Sequence, residues 1–120
     1  MDKIKIGDGE IRIMEYIWEE QPVKAGELVI RAKEDYGWSK NTTYTMLKRL
    51  AEKGMIDRSD PGFVCRALVT REQVQQEETR SLIDKVYNGS RKLFLTSFLS
   101  EEKLTEDEIE EIKKLIDAHP

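Results

Sequence analysis

The sequence predicts a mainly α fold with one small β-hairpin, and three observations carry that expectation. Apolar residues recur at three- and four-residue intervals through most of the chain, the spacing that puts them on one face of a helix. Four hydroxyl residues, Ser39, Thr70, Ser90 and Thr105, each stand just before such a stretch, where a side chain can accept a hydrogen bond from a first-turn amide. Two short β-prone runs, Met55 to Arg58 and Phe63 to Val69, flank Asp60-Pro61-Gly62, a tight-turn sequence that makes a hairpin of them.

Taken in order, the first helix is expected from Asp8, whose carboxylate can cap free amides, to about Glu20, with Ile11, Met14, Ile17 and Trp18 inward. Gln21-Pro22 ends it, because the residue before proline disfavours the α region. Val23 follows as a short extended residue. A second helix from about Lys24 to Asp35 turns Ala25, Leu28, Val29 and Ala32 inward, and Tyr36-Gly37-Trp38 makes the next turn. Ser39 caps a third helix, Lys40 to Lys53, whose buried face is Thr43, Met46, Leu47 and Leu50 and which stops at Gly54. Beyond the hairpin, Thr70-Arg71-Glu72-Gln73 fits a capping box and opens a long helix ending near Asn88-Gly89. Ser90 caps a short, very apolar helix with Leu93, Phe94, Leu95, Phe98 and Leu99. Thr105-Glu106-Asp107-Glu108 is a second capping box, opening a last helix striped with Ile109, Ile112, Leu115 and Ile116.

Composition narrows the chemistry. Of 120 residues, 37% are charged and 38% hydrophobic, the mix of a soluble globular protein with a modest core. Apolar runs stop at three or four residues, so neither membrane insertion nor a signal peptide is expected, and a cytoplasmic location follows. The single cysteine, Cys65, and the single histidine, His119, leave no set for a thiolate metal cluster, a triad or a His-based metal site. Neither enzymatic activity nor a cofactor or metal is expected. Charge is unevenly spread: residues 1–70 hold 12 basic and 12 acidic residues, and residues 71–120 hold 8 and 12, so the second part supplies the net −4. From Tyr36 to Arg58, Lys40, Lys48, Arg49, Lys53 and Arg58 stand against only Glu52 and Asp57.

Three helices followed by a hairpin, the third helix basic and polar on one face, is the order of a winged helix-turn-helix, here over residues 1–70. In that architecture the third helix enters the DNA major groove, where base pairs present distinguishable donors and acceptors. The outer face offers Asn41, Thr42, Tyr44, Thr45, Lys48 and Arg49, with no acidic residue from Ser39 to Ala51. Asn41 can pair bidentately with adenine, and threonine hydroxyls and methyls suit base edges. Lys48, Arg49 and the helix start at Ser39-Lys40 suit phosphates. Arg58 and Arg66, flanking the hairpin turn, could follow the backbone alongside. Tyr44 could stack on a sugar or fold back on the core. The alternative is a protein-interaction module that uses the same surface for docking, without sequence-specific DNA binding.

Residues 71–120 stripe three helices but fill no centre of their own. A segment of about 50 residues buries too little surface to offset chain entropy alone. A helical dimerisation region is therefore expected, with Val74, Leu82, Val86, Leu93, Phe94, Phe98, Ile109, Ile112 and Ile116 joining two copies.

Ile11 to Trp18 (IRIMEYIW), Pro22-Val23, Gly37-Trp38-Ser39 and Thr45 to Ile56 (TMLKRLAEKGMI) resemble the BlaI/MecI-type penicillinase repressor family. The pattern continues through Leu68-Val69, Glu77-Glu78, the Gly89 turn and the acidic last helix, covering nearly the whole chain. The resemblance implies a winged-helix domain, a helical dimerisation domain, and a homodimer that represses transcription by binding double-stranded operator DNA at an inverted repeat. It also implies induction through a membrane sensor and protease system, by cleavage in the dimerisation domain at the position that reads Ser97-Phe98 here. The family's better-known branch carries a basic residue where Tyr44 stands and a Lys-Thr pair at Asn41-Thr42, so the resemblance does not carry over the operator sequence. The copper-responsive branch carries a C-terminal cysteine cluster, and this chain ends in IKKLIDAHP without one.

Overall fold

A computed structural model describes residues 5–59 and 62–120. The elements in order are α1 (Asp8–Glu20), β1 (Val23–Lys24), α2 (Ala25–Tyr36), α3 (Lys40–Glu52), β2 (Ile56–Ser59), β3 (Val64–Ala67), α4 (Arg71–Val86), α5 (Arg91–Glu101) and α6 (Glu106–Asp117). The chain divides into two compact units, Met1–Thr79 and Arg80–Pro120, so the division falls inside α4 and not at the 70/71 junction where the chain changes character.

The first unit is a winged helix-turn-helix. Its hairpin is wider by one strand than the sequence suggests, because β1 pairs antiparallel with β3 and the strands run β1-β3-β2. The short extended residue expected at Val23 is thus a sheet strand, paired with Cys65. Asp60 and Pro61, two of the three expected turn residues, lie outside the described residues; Gly62 follows them with φ 78°.

The core is built where the three helices meet the sheet. Ile13, Met14, Ile17, Leu28, Ala32, Leu47, Leu50 and Cys65 are completely buried, joined by Tyr16, Val23, Ala25, Met55 and Ile56. Ile11 and Trp18, expected among the inward residues of α1, pack against the margin of the core, and Ile13 and Tyr16 take the deeper places. The reason is coverage: α1 touches α2, α3 and β3, so its buried arc is broader than one four-residue stripe. Gly9 permits the closest approach, since a Cβ there would lie 3.2 Å from both Met46 Cε and Trp38 Cη2.

Capping chemistry largely follows the sequence. Ser39 Oγ accepts from the Thr42 amide at 3.1 Å, Ser90 Oγ from Leu93 at 3.0 Å, and Thr105 with Glu108 closes a reciprocal capping box. Thr70 and Gln73 do the same at 2.8 and 3.0 Å. At α1 the cap is Gly7 and not Asp8: the Gly7 amide donates to Glu10 Oε1 at 2.7 Å, leaving Asp8 in the first turn, where a carboxylate suits the helix dipole.

The first half of α4 belongs to the winged unit. Val74, expected among the residues that join two copies, is buried in the core there. Arg71 fixes the start of α4 through an ion pair to Glu15 at 2.7 Å and by lying over the Trp18 ring at 5.2 Å. Trp18 Nε1 donates to the Val69 carbonyl at 2.9 Å, and Glu78 Oε1 accepts from the Ile6 amide at 3.2 Å.

In the second unit Tyr87, Phe94 and Phe98 form a ring ladder, with centroids 5.4 Å and 6.2 Å apart. Asn88 (φ 52°) and Gly89 (φ 76°) make the left-handed turn between α4 and α5, the conformation for which glycine and asparagine are the tolerant residues.

Candidate nucleic-acid interface

The third helix presents two faces of opposite character. Thr43, Leu47 and Leu50 are buried, while Asn41, Thr45, Lys48 and Arg49, spaced i, i+4, i+7 and i+8, share one exposed face. Lys40 joins that surface at the helix start. All five side chains are exposed on the helix, where the sequence places them.

The remaining candidates on this helix are more constrained. Ser39 is committed to capping, and its hydroxyl also lies 3.0 Å from Thr42 Oγ1. Thr42 is half-buried with its hydroxyl engaged in that pair. Tyr44 folds back on the core margin, and the Lys40 ammonium lies 5.8 Å from its ring centroid. Lys53, one of the five basic residues of this stretch, turns away to bond the buried Glu10 carboxylate at 2.6 Å and the Lys5 carbonyl at 2.9 Å. The physical reason is the demand of a buried charge: Glu10 is nearly enclosed and needs a cation beside it.

Arg58 and Arg66 are both exposed, but the hairpin does not bring them together. Arg58 pairs in register with Cys65, and Arg66 with Asp57. Neighbouring strand positions point to opposite faces, so the two guanidinium groups leave the sheet on opposite sides. Arg66 has the Asp57 carboxylate directly across the strand pair, whereas Arg58 lies over the Phe63 ring, 5.4 Å from its centroid. Phe63 was not singled out in the sequence, where it is simply an aromatic next to a turn glycine.

Cys65 lies on the central strand of the sheet with no exposure, and burial pushes its thiol pKa up, with nearby Arg58 opposing the shift. It behaves as a small core hydrophobe.

The residues expected to join two copies divide three ways. Val74 is in the winged core, Phe94 and Ile112 are half-buried, and Leu82, Val86, Leu93, Phe98, Ile109 and Ile116 are exposed. Leu115 is 71% exposed, more than any of them. The Ser97–Phe98 bond lies inside α5, where helical backbone does not fit the extended conformation a protease cleft usually takes. No described helix is long and apolar enough to cross a membrane.

Comparison with known proteins places this architecture. The family model described as penicillinase repressor matches residues 6–118. The chain is 28% identical over 122 residues to a penicillinase repressor of Bacillus licheniformis, covering 99% of this chain and 95% of that one. It is 29% identical to the methicillin resistance regulatory protein MecI of Mammaliicoccus sciuri, covering 93% of each. Among solved structures, the DNA-binding domain of the repressor BlaI superposes with a TM-score of 0.56 at 30% identity, over 61% of this chain and 93% of that one. The Bacillus licheniformis BlaI monomer in complex with the blaP half-operator superposes at 0.53 and 27% identity, over 60% of this chain and 90% of that one. With a winged helix-turn-helix at one end and a family match that runs almost from end to end, the chain belongs to the penicillinase repressor family.

Proposed function

We propose that this protein is a DNA-binding transcriptional repressor whose homodimer occupies an inverted-repeat operator. The observation that carries the reading is the exposed face of α3, with Lys40, Asn41, Thr45, Lys48 and Arg49 on one surface and no acidic residue before Glu52. Asn41 and Thr45 read base edges, with the Thr42 methyl beside them. Lys40, Lys48 and Arg49 meet phosphates, and the α3 N-terminus contributes its dipole. Arg58 extends the contact from the hairpin; Arg66, offset by Asp57, contributes less.

Two copies associate through the apolar side chains that α4 to α6 leave exposed, including Leu82, Val86, Leu93, Phe98, Ile109 and Ile116. Such a dimer has the two-fold symmetry that a pair of half-sites requires. The protein acts in the cytoplasm by occupancy alone and catalyses no reaction. Induction by a membrane sensor and protease system, if it acts at Ser97–Phe98, requires local opening of α5, since that bond is helical.

Footprinting the purified protein on its own upstream region tests the reading. The expected result is a protected inverted repeat with half-sites about one helical turn apart or a multiple of it. Binding indifferent to sequence and insensitive to salt would overturn it, because contacts to phosphates release counterions.

A further inference from the structure

Phe63 stands where glycine is the natural choice. Its φ of 51° is in the left-handed region, which bulky side chains rarely adopt, and Gly62 just before it has φ 78°. Burial does not account for the residue, since its ring is 49% exposed. The backbone here is held from outside, as the Phe63 carbonyl accepts from the Ala25 amide at 2.9 Å. What the ring does touch is Arg58, whose guanidinium lies 5.4 Å from its centroid. An outlier kept without burial, beside a cation on the hairpin, points to a job for the side chain.

We infer that Phe63 is a positioning residue for DNA binding: its ring holds the Arg58 guanidinium in one orientation, ready for the phosphate backbone beside the major-groove contacts of α3. Arginine on a flexible stem loses conformational freedom when it binds. A guanidinium held over a ring has lost part of it already and can still offer N–H groups to phosphate oxygens. The inference rests on the reading of the chain as a DNA-binding protein and adds a residue that neither α3 nor the charge pattern supplies.

The test is a mutant cycle on the full-length protein, with binding to a 30-base-pair mixed-sequence duplex measured by fluorescence anisotropy across a salt series. Mixed sequence is sufficient because the contact is to the backbone. Arg58→Ala is expected to reduce the slope of log affinity against log salt by about 0.9 per protomer. Phe63→Leu keeps an apolar side chain and the same backbone demand but has no aromatic face; it should weaken binding about two- to five-fold, the range of an exposed cation–π contact. Phe63→Tyr should restore wild-type affinity and slope. In the Arg58→Ala background, Phe63→Leu should have no further effect. Thermal melts followed by circular dichroism show that each variant is folded. Equal losses from Phe63→Leu with and without Arg58, or no loss at all, overturn the inference while wild-type binding upholds the reading beneath it. Absence of any salt-sensitive duplex binding by the wild-type protein overturns both.

Discussion

At the residue scale the two functional roles on α3 separate cleanly by chemistry. A lysine meets a phosphate as a point charge, so Lys48→Ala is expected to weaken binding to all DNA sequences alike and to reduce the salt slope by about one. Asn41 offers a donor and an acceptor on one planar group; Asn41→Ala should cost about 1–3 kcal/mol on the operator and relax the preference at one position per half-site. Gel-shift titrations on operator and scrambled duplexes decide it, and equal losses on both would remove Asn41 from the base-reading set. Beneath that surface Thr43 is fully buried, and its hydroxyl has no hydrogen-bond partner among the described residues. A polar atom left unpaired in a core is destabilising, so Thr43→Val, which keeps the shape, should raise stability by about 1 kcal/mol. The urea midpoint should rise with the slope unchanged; a fall would mean that the hydroxyl is satisfied in solution.

At the element scale, α1 and α2 are held together by more than their apolar faces. The Tyr16 hydroxyl donates to Asp35 Oδ2, and Arg31 lies over the Tyr16 ring at 4.2 Å while pairing with Glu20 at 2.6 Å. Burial first, then the hydrogen bond to Asp35, pushes the Tyr16 phenol pKa well above its ordinary 10.0. The native state therefore keeps a proton that the unfolded chain gives up near pH 10, which sets the sign. This contribution is complete below pH 10 and declines as pH climbs towards the folded value. Stability should fall more steeply above pH 10 in the wild type than in Tyr16→Phe, measured by urea unfolding from pH 8 to 11; parallel curves would show that Tyr16 does not couple to folding. Elements of this kind also show what a sequence can disclose. The caps at Ser39, Thr70, Ser90 and Thr105 were legible because each is a contact over three residues. The pairing of β1 with β3 was not, since two residues carry no periodicity and their partner lies some forty residues on. Lys53 counts in the basic excess of its stretch, and nothing local announces that Glu10, buried in the first turn of α1, will take it. The exposed face of α3 was legible because its spacing and its lack of acidic residues are both local.

At the scale of the molecule, where the chain divides decides which fragment can stand alone. A fragment ending at Thr70 retains α1 to α3 and the whole sheet, yet loses Val74 from the core, the Arg71–Glu15 ion pair and the hydrogen bond between Glu78 and the Ile6 amide. One buried valine alone contributes about 1.5–3 kcal/mol, a large share of the margin of so small a domain. A fragment ending at Thr79 keeps all three contacts and leaves out α5, α6 and the exposed apolar end of α4. The shorter fragment should therefore unfold at a clearly lower urea concentration than the longer one. The fragment ending at Thr79 should be folded and monomeric, because Leu82, Val86, Leu93, Phe98, Ile109 and Ile116 are gone. Each half-site contact should survive in it, since α3 and the hairpin are untouched. What it lacks is the link that makes the second contact effectively intramolecular, and such a link raises avidity by about 10²–10⁴-fold. Affinity for the full inverted repeat should thus drop steeply towards that for a single half-site, with the base preference at Asn41 unchanged. Sedimentation velocity with gel-shift titration of the fragment and the intact chain checks this. If the fragment ending at Thr79 still sediments as a dimer, or holds the full operator as tightly as the intact chain, α4 to α6 do not carry the association of the two copies.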